Sequence, residues 1–288
     1  MTLRASIARM TGAAPVNFAL TNRLPRRWLT QMVGRLSKIE NPWVARASIA
    51  TWRFFADVDL SDATERNYRS MHACFTRSLR PGSRPADPDP AVWCSPSDGI
   101  VGACGAIDSD MVLQAKGHPY PLSELIGGSS DWLHGGHYVT LRLTSGMYHR
   151  FHAPHDAVVE QVRYFPGDCW NVNAPALDRV DRLYCRNERA VLRLTAGPDA
   201  QPMLLVPVAA ILVAGIRLHF LDTPTLLRER GSAPVACNAR LAKGEEMGWF
   251  EHGSTIIVLV PKGFTLAPGV ATGTKLRAGQ ALFQRVDG

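Results

Sequence analysis

The sequence lacks the features that would anchor it in a membrane or mark it for export. Its longest apolar run, Met203–Ile216, has fourteen residues and is interrupted by Pro207, whereas a membrane-spanning helix needs about 20 apolar residues. The amino terminus has no compact apolar stretch followed by a small-residue cleavage site, which disfavours a secretory signal. The sequence therefore predicts neither an integral membrane span nor a secreted protein.

Cysteine pairs and common cofactor motifs are also lacking. The six cysteines include no Cys-x-x-Cys spacing, and a chain of 288 residues can bury a core without disulfides. We therefore expect free thiols in a reducing compartment. The sequence has no Gly-x-Gly-x-x-Gly opening a helix, no phosphate-binding loop, no His-Glu-x-x-His and no Gly-x-Ser-x-Gly. None of these motifs is available to explain the function.

Positive charge, by contrast, is concentrated near the amino terminus. The net charge is +7, and residues 1–60 hold nine arginines and lysines against three acidic residues, so six of the seven excess charges lie there. A localised cationic segment favours an anionic partner, either nucleic acid or an acidic lipid surface. Because no nucleic-acid recognition motif accompanies the charge, we expect no nucleic-acid partner.

The basic segment predicts two amphipathic helices. In residues 27–39, apolar side chains recur near helical spacing, while Gln31, Arg35 and Lys38 fall on the other side. Residues 43–55 repeat this pattern with several aromatic residues. The composition is typical of helices that lie in a membrane interface, and ordinary packing of both helices on a core is the alternative.

A third helix is predicted to begin at Asp62, where Glu65 three residues on would complete a capping pair. It would bury Tyr68, Met71 and Phe75. A proline-rich connection follows and ends the helical part of the chain.

After this connection the pattern changes to short strands. Apolar and polar residues alternate at 139–143, and further strands are predicted at 191–194, within 203–216 and at 255–260. The sequence thus predicts an α+β fold in which N-terminal amphipathic helices precede a mainly β, barrel or sandwich-like domain. We place the basic helices in residues 1–60 and this main domain in residues 61–288.

Three short segments combine residue types that can carry chemistry: Ser-Pro-Ser-Asp-Gly at 95–99, Tyr-His-Arg-Phe-His-Ala-Pro at 148–154 and His-Gly-Ser-Thr at 252–255. Ser254 follows the unhindered Gly253 at the start of a predicted buried strand, where a scaffold can hold a hydroxyl rigidly. Asp98, His152 and Ser254 together would make a carboxylate–imidazole–hydroxyl relay. Sequence spacing alone cannot show that the three meet.

Each of these residues also has an ordinary structural explanation. Asp98 and Ser254 are typical turn residues, and a histidine is often a hydrogen-bonded structural residue. His149 and His152 lie three apart, but no cysteine or carboxylate ligand lies nearby in the sequence, so we expect no metal site.

Further short motifs extend over nearly the whole chain from about residue 60. They are Phe75–Pro85, Ser95–Gly99, Gln114–Gly117, Tyr148–His152, Pro166–Asp168 with Val172-Asn173, Asn187–Arg189, Lys243–Gly248 and Gly253–Thr255. Each is weak alone, but all of them in this order resemble the phosphatidylserine decarboxylases, a pyruvoyl-dependent family.

The resemblance implies a self-processing enzyme. Ser254 Oγ would attack the Gly253 carbonyl to give an ester, elimination would leave dehydroalanine, and hydrolysis would release ammonia and leave a pyruvoyl group. The products would be a β chain of residues 1–253 and an α chain of residues 254–288. Asp98, His152 and Ser254 match the self-cleavage triad of the family.

The pyruvoyl group made from Ser254 would then serve as the cofactor. By resemblance it would form a Schiff base with phosphatidylserine and release carbon dioxide to give phosphatidylethanolamine. His149 matches the family histidine of the decarboxylation step, which would contact the substrate carboxylate or donate a proton. Family members commonly pair as dimers of processed units.

A lipid substrate also gives the basic helices a purpose. They would hold the catalytic domain peripherally on the cytoplasmic side of the cell membrane, where phosphatidylserine supplies anionic charge. High salt should then weaken binding.

Two positions depart from the usual family pattern. His252 stands where an apolar residue is common, and Ser97 replaces a common alanine. His252 flanks the scissile bond, so a titratable group there can alter the rate or pH dependence of cleavage. Two other functions stay open: a non-catalytic homologue that binds anionic lipid, and a serine hydrolase that uses Asp98, His152 and Ser254.

Overall fold

A computed structural model of the chain describes residues 26–115, 118–210, 215–251 and 254–286. The helices are α1 (Arg26–Ser37), α2 (Pro42–Phe55), α3 (Met71–Phe75), α4 (Leu122–Ile126), α5 (Ala174–Leu177), α6 (Leu183–Arg186) and α7 (Thr223–Arg230), with a 3-10 turn at Asp131–Leu133.

The strands are β1 (Val92–Cys94), β2 (Gly99–Ile107), β3 (Met111–Ala115), β4 (His118–Pro121), β5 (Gly136–Leu143), β6 (Arg150–His152), β7 (Ala157–Phe165), β8 (Arg189–Ala196), β9 (Gln201–Ala209), β10 (Ile216–Leu218), β11 (Pro234–Leu241), β12 (Glu246–Phe250), β13 (Ser254–Val260), β14 (Phe264–Leu266), β15 (Lys275–Leu276) and β16 (Ala281–Arg285).

An eight-stranded antiparallel sheet dominates the fold, in the order β11-β7-β8-β9-β13-β5-β2-β15. β13 is an interior strand whose residues pack on both faces: Ile256 and Val258 belong to one apolar cluster, and Ile257 and Leu259 to the other. Alternation by two explains this division, because successive side chains of a strand point to opposite faces. The apolar sequence of β13 is thus a strand buried on both faces.

Smaller sheets complete the β part of the molecule. Their orders are β1-β16-β14 and β10-β12-β6, and β3 pairs with β4. In the described residues the outer strands of the large sheet, β11 and β15, do not pair with each other. The sheets are therefore open, and of the two predicted forms the sandwich-like one is observed rather than a closed barrel.

The predicted α+β fold and its strands are confirmed. The patterns at 139–143, 191–194 and 255–260 lie in β5, β8 and β13. The run 203–216 enters both β9 and β10, and its residues 211–214 lie outside the described part. All six cysteines are free.

The two N-terminal helices are also confirmed, as α1 and α2. Asn41 caps α2 through its side chain, which accepts from the backbone N–H groups of Trp43 and Val44. Trp52 of α2 is buried against Phe75. No helix in the described ranges is long and apolar enough to cross a membrane.

The predicted start of the third helix at Asp62 is wrong. Helix α3 begins only at Met71, and its cap is Ser70, whose Oγ accepts from Ala73 N–H. The carboxylate of Asp62 is instead paired with Arg84 at 3.0 Å, and no helix begins at this described residue. Tertiary pairing has overridden a local capping signal.

Candidate active site

Ser254 lies at the entrance to an interior strand. It is the first residue of β13 and is opposite Leu143 of β5 on one side and Ala209 of β9 on the other. Its backbone is therefore fixed between two neighbouring strands. The bond expected to be cut joins it to Gly253, and both Gly253 and His252 lie outside the described residues.

Asp98 lies at the same edge of the sheet. It immediately precedes β2. Strand β5 lies between β2 and β13, and its Arg142 is paired with Ile100 of β2 on one side and with Thr255 of β13 on the other. Neighbouring strands are about 4.8 Å apart, so β2 and β13 start roughly 10 Å from each other, on either side of β5. The register brings Asp98 and Ser254 to one end of the sheet.

The histidine segment reaches this edge through the sheet β10-β12-β6. His152 is the last residue of β6, is opposite Glu246 of β12, and donates its backbone N–H to Pro96 O at 2.8 Å. The carbonyl of His149 accepts from Phe250 N–H at 2.9 Å, at the end of β12. The three segments that the sequence singled out are therefore neighbours.

The carboxylate of Asp98 is held by an arginine fork. Arg84 donates from Nε and Nη2 to the two oxygens of Asp98, each at 2.7 Å, and Ala278 N–H adds a bond of 2.9 Å. Paired N–H donors to a carboxylate combine strength with a fixed orientation. Asp98 is 8% exposed, so Arg84 also supplies the counter-charge that a buried carboxylate requires.

His152 is held as one neutral tautomer. Its Nδ1 lies 2.9 Å from Gly244 O, and a carbonyl only accepts, so Nδ1 carries the proton and Nε2 accepts from Tyr148 OH at 3.0 Å. Burial lowers the pKa of His152 below its ordinary 6.5, outweighing the Gly244 carbonyl and the negative charges of Glu246 and Asp98, which raise it. At neutral pH its Nε2 is thus unprotonated and can accept a proton.

Asp98 and His152 are not joined directly. Both ring nitrogens of His152 have the partners just described, and both carboxylate oxygens of Asp98 face Arg84. They are linked indirectly through their partners: Arg84, which holds Asp98, has its guanidinium carbon 5.9 Å from the centre of the ring of Tyr148, which bonds His152. The predicted relay residues therefore share one edge, where Asp98 and His152 do not bond each other, and the contact of His152 with Ser254 stays a prediction.

His149 is fully buried against an aromatic ring. Its imidazole lies 4.1 Å from the Phe75 ring, centroid to centroid, and the planes are 36° apart. Its Nδ1 lies 2.8 Å from Met147 O, so that nitrogen carries the proton. Phe75 in turn contacts Trp52 at 5.6 Å. One ring therefore separates helix α2 from this histidine.

Two further motifs meet beside Ser254. Asp168 and Asn187 form a parallel bridge, and a Cβ on Gly167 would lie 2.5 Å from the carbonyl carbon of Asn187, so only glycine fits there. The buried Asn187 donates from Nδ2 to Ala209 O at 2.8 Å. Since Ala209 is opposite Ser254, this amide fixes one of the strands that flank the site.

Other motif residues stabilise the fold at a distance from this edge. Gln114 is buried and donates from Nε2 to Leu177 O at 2.8 Å, and residues 116–117 of its motif lie outside the described part. Lys243 Nζ donates to Val92 O at 2.8 Å. Among the described residues, no group of three or more His, Cys, Asp or Glu side chains could hold a metal ion.

Sequence reasoning assigned no role to Arg84, Tyr148 or Asn187. Each lies in one of the motifs given in the sequence analysis. A polar side chain within such a motif is the signal that could have singled it out. Arg84 bonds Asp98, and Asn187 bonds Ala209, so the partner is distant in sequence in both cases. Only the folded chain identifies those pairs.

The fold and this edge define a class: mainly β proteins in which a Gly-Ser sequence precedes an interior strand, at an edge that also carries a buried carboxylate and two histidines. A profile of the family described as phosphatidylserine decarboxylase matches residues 71–284. The chain is 35% identical over 285 residues to the phosphatidylserine decarboxylase proenzyme of Dickeya dadantii, covering 94% of this chain and 93% of that protein. It is 35% identical to that of Alcanivorax borkumensis (88% and 90% covered) and 34% identical to that of Escherichia coli (83% and 78%).

The chain therefore belongs to the phosphatidylserine decarboxylase family, a family of decarboxylase enzymes. The resemblance noted in the sequence is confirmed. The matched relatives carry the name proenzyme, which describes a precursor that is processed.

Proposed function

We propose that this chain is the precursor of a phosphatidylserine decarboxylase and that it cleaves itself between Gly253 and Ser254. The observation that supports this most is the position of Ser254 at the entrance to an interior strand, at the edge shared by Asp98, His149 and His152. The names of the relatives supply the substrate, phosphatidylserine.

The cleavage rearranges the bonds of the chain itself. Ser254 Oγ loses its proton and attacks the Gly253 carbonyl carbon, and the acyl group passes from nitrogen to oxygen to give an ester. Loss of the Ser254 α-proton then expels Gly253 as a free carboxylate and leaves dehydroalanine. Its enamine tautomerises and takes up water, releasing ammonia and leaving a pyruvoyl group on the 254–288 chain.

The residues at this edge suit that chemistry. Neutral His152 offers a basic Nε2 that can take the Ser254 proton once it exchanges the Tyr148 hydroxyl for the serine. Asp98, oriented by Arg84, supplies the negative charge that favours the imidazolium formed. Fixing the reacting groups on strands lowers the entropic cost of their approach.

The pyruvoyl group supplies an electron sink for the decarboxylation of the lipid serine. His149 is the residue that we assign to this step, binding the substrate carboxylate or donating the proton that replaces it. Its Nδ1 donates to Met147 O, so Nε2 would act in this step only in the imidazolium form, because a neutral ring with its proton on Nδ1 has no proton to offer at Nε2. The ring of Phe75 fixes the plane of the imidazole.

The two product chains would stay together after cleavage. β13 of the 254–288 chain pairs with β5 and β9, and β16 pairs with β1, so strands of the smaller chain lie within sheets of the larger one. Separation would expose the fully buried Ile256–Val260 to water. We therefore expect a stable heterodimer.

Helices α1 and α2 support a peripheral position on the cytoplasmic side of the cell membrane. Trp43 is 78% exposed and Phe55 is 61% exposed. Large aromatic residues exposed together to solvent are typical of a surface that binds a partner. A groove of about 780 Å³ adjoins these helices, and its lining includes four cationic side chains and two acidic ones: Lys38, Arg69, Arg77, Arg150, Glu40 and Glu65. Aromatic side chains with cations are the pattern of interfacial binding to anionic lipid.

Intact mass spectrometry of the purified protein tests the proposal. We expect two chains that break before residue 254, with a pyruvoyl-blocked smaller chain, and carbon dioxide released from phosphatidylserine vesicles. Ser254→Ala should abolish both cleavage and activity, whereas Ser232→Ala, at an exposed turn, should change neither. A single full-length species with an active hydrolase site, labelled by a fluorophosphonate at Ser254, would contradict the proposal. So would vesicle binding by an uncut chain that releases no carbon dioxide.

A further inference from the structure

Glu251 lies between the sheet that carries the histidines and the Gly-Ser sequence. It directly follows β12 and precedes Gly253 by two residues. Its backbone N–H donates to Gly215 O at 3.1 Å. Nothing in the proposed cleavage or decarboxylation uses its side chain, which is only 12% exposed.

Basic side chains from three separate parts of the chain converge on this one carboxylate. Oε1 of Glu251 lies 3.3 Å from Lys38 Nζ just after α1, 3.6 Å from His72 Nε2 in α3 and 3.4 Å from Arg217 Nε in β10. We call these four residues the Glu251 ion-pair cluster. Helix α1, helix α3 and strand β10 are thereby tied to the last described residue before the Gly-Ser sequence.

The cluster keeps this carboxylate ionised. Burial alone would raise the pKa of Glu251, but the nearby His72 ring and the charges of Arg217 and Lys38 lower it to about 2. A largely buried ion with several partners has a defined position, because leaving the cluster would strand both the carboxylate and its cations without partners.

We propose that Glu251 is a positioning residue for self-cleavage: its ion pairs hold the segment that ends at Gly253 so that the Gly253 carbonyl is presented to Ser254. The inference rests on the self-cleavage proposed above. The chemistry demands such a residue, since an attack across a peptide bond loses about a hundredfold in rate when the groups are misplaced by about 1 Å. On the Gly253 side of the bond, the Glu251 ion-pair cluster is the described anchor nearest in sequence.

The same contacts have a second consequence after cleavage. Glu251 becomes the third residue from the new carboxyl terminus of the 1–253 chain. Its ion pairs would then keep that terminus from moving across the edge where the lipid serine must enter.

The test compares cleavage rates of freshly synthesised chains, made by cell-free translation and followed by gel electrophoresis and mass spectrometry. Glu251→Gln keeps the volume and removes the charge, and we expect cleavage to slow about 10- to 100-fold. Glu251→Asp keeps the charge and should recover part of the rate. The matched control is Glu160→Gln, which also breaks an arginine pair, to Arg193 at 3.5 Å, on β7; it should cleave like the wild type.

Hydroxylamine shows at which step a slowed chain stalls, and a destabilised reference variant separates positioning from general stability. It cleaves esters and leaves amides intact, so a Glu251→Gln chain that stalls before attack should be insensitive to it. Leu282→Ala, in the fully buried part of β16, provides a destabilised reference that keeps the Glu251 ion-pair cluster. We expect Glu251→Gln to cleave more slowly than Leu282→Ala although it melts at a higher temperature.

Three results would overturn the inference and leave the proposed function standing: wild-type cleavage by Glu251→Gln, a slowing no greater than that of Leu282→Ala, or an ester that accumulates and is released by hydroxylamine. A wild-type chain that never cleaves would instead refute the proposed function, and the inference with it.

Discussion

Strand β13 and helix α2 are both rich in large apolar residues, yet the molecule treats them in opposite ways. Every residue of Thr255–Val260 is fully buried, whereas α2 buries Trp52 and leaves Trp43, Phe54 and Phe55 exposed. Burial of a whole segment on two faces is what a core requires. Aromatic residues kept in water indicate a surface selected for contact with something else. Apolar composition alone therefore does not distinguish a core strand from a binding helix.

The largest effect is expected at His149, the site residue that Trp52 of α2 reaches through the ring of Phe75. His149→Ala should lower decarboxylation about 10²- to 10⁴-fold, the usual contribution of general acid–base catalysis, and should leave self-cleavage largely intact. Carbon dioxide release per pyruvoyl group measures the first and mass spectrometry the second. His134→Ala, at an exposed position, is the control. Normal rates of both steps would remove His149 from our mechanism.

The second prediction compares the two regions in stability. Ile256→Ala, in the buried interior of β13, should cost about 2–5 kcal/mol, because an internal cavity is left. Phe55→Ala, at a side chain 61% exposed, should change stability by less than about 0.5 kcal/mol. Urea unfolding of both substitutions in an uncleaved Ser254→Ala background measures the difference. Equal losses would mean that α2 belongs to the core after all.

Much of the β part could be predicted from the sequence because its signals are local. Alternation around Val139 and Leu141 and the β-branched run of β13 each specify a strand without knowledge of its partners. The start of the third helix failed for the opposite reason. Asp62 has a capping pattern, but its carboxylate is taken by Arg84, twenty-two residues away.

The site residues were predicted by resemblance, and their arrangement was not. No spacing indicates that Arg84 would occupy both oxygens of Asp98, or that Tyr148 would bond His152. Glu251 has no local signal, because its three basic partners are residues 38, 72 and 217. Long-range ion pairs follow from the register of strands, which a single sequence does not specify.

A third prediction concerns the exposed face of α2. Replacing both Trp43 and Phe55 by serine should weaken binding to anionic vesicles by about 10²-fold, since each lost aromatic contact is worth roughly 1.5 kcal/mol. Vesicle flotation measures binding, and self-cleavage should be unchanged. The buried Trp52 is no substitute target, because its loss would disturb the packing on Phe75. Full binding by the double variant would show that α2 does not contact lipid.

The smallest expected effect is a difference in pH dependence between self-cleavage at the sheet edge and vesicle binding by the helices. Burial lowers the pKa of His152 below 6.5, so its neutral, proton-accepting form prevails at neutral pH and is lost only as the pH falls through that lowered value. Self-cleavage of freshly made chains should therefore stay near its maximum down to about pH 6.5 and decline only at lower pH, approaching tenfold for each unit once the pH lies below the lowered pKa. Binding to phosphatidylglycerol vesicles should not weaken over this range, because the arginines and lysines near α1 and α2 keep their charge. A decline in cleavage that begins above pH 6.5 would place the proton acceptor elsewhere, and a parallel loss of vesicle binding would mean that the helices and the sheet edge do not act separately.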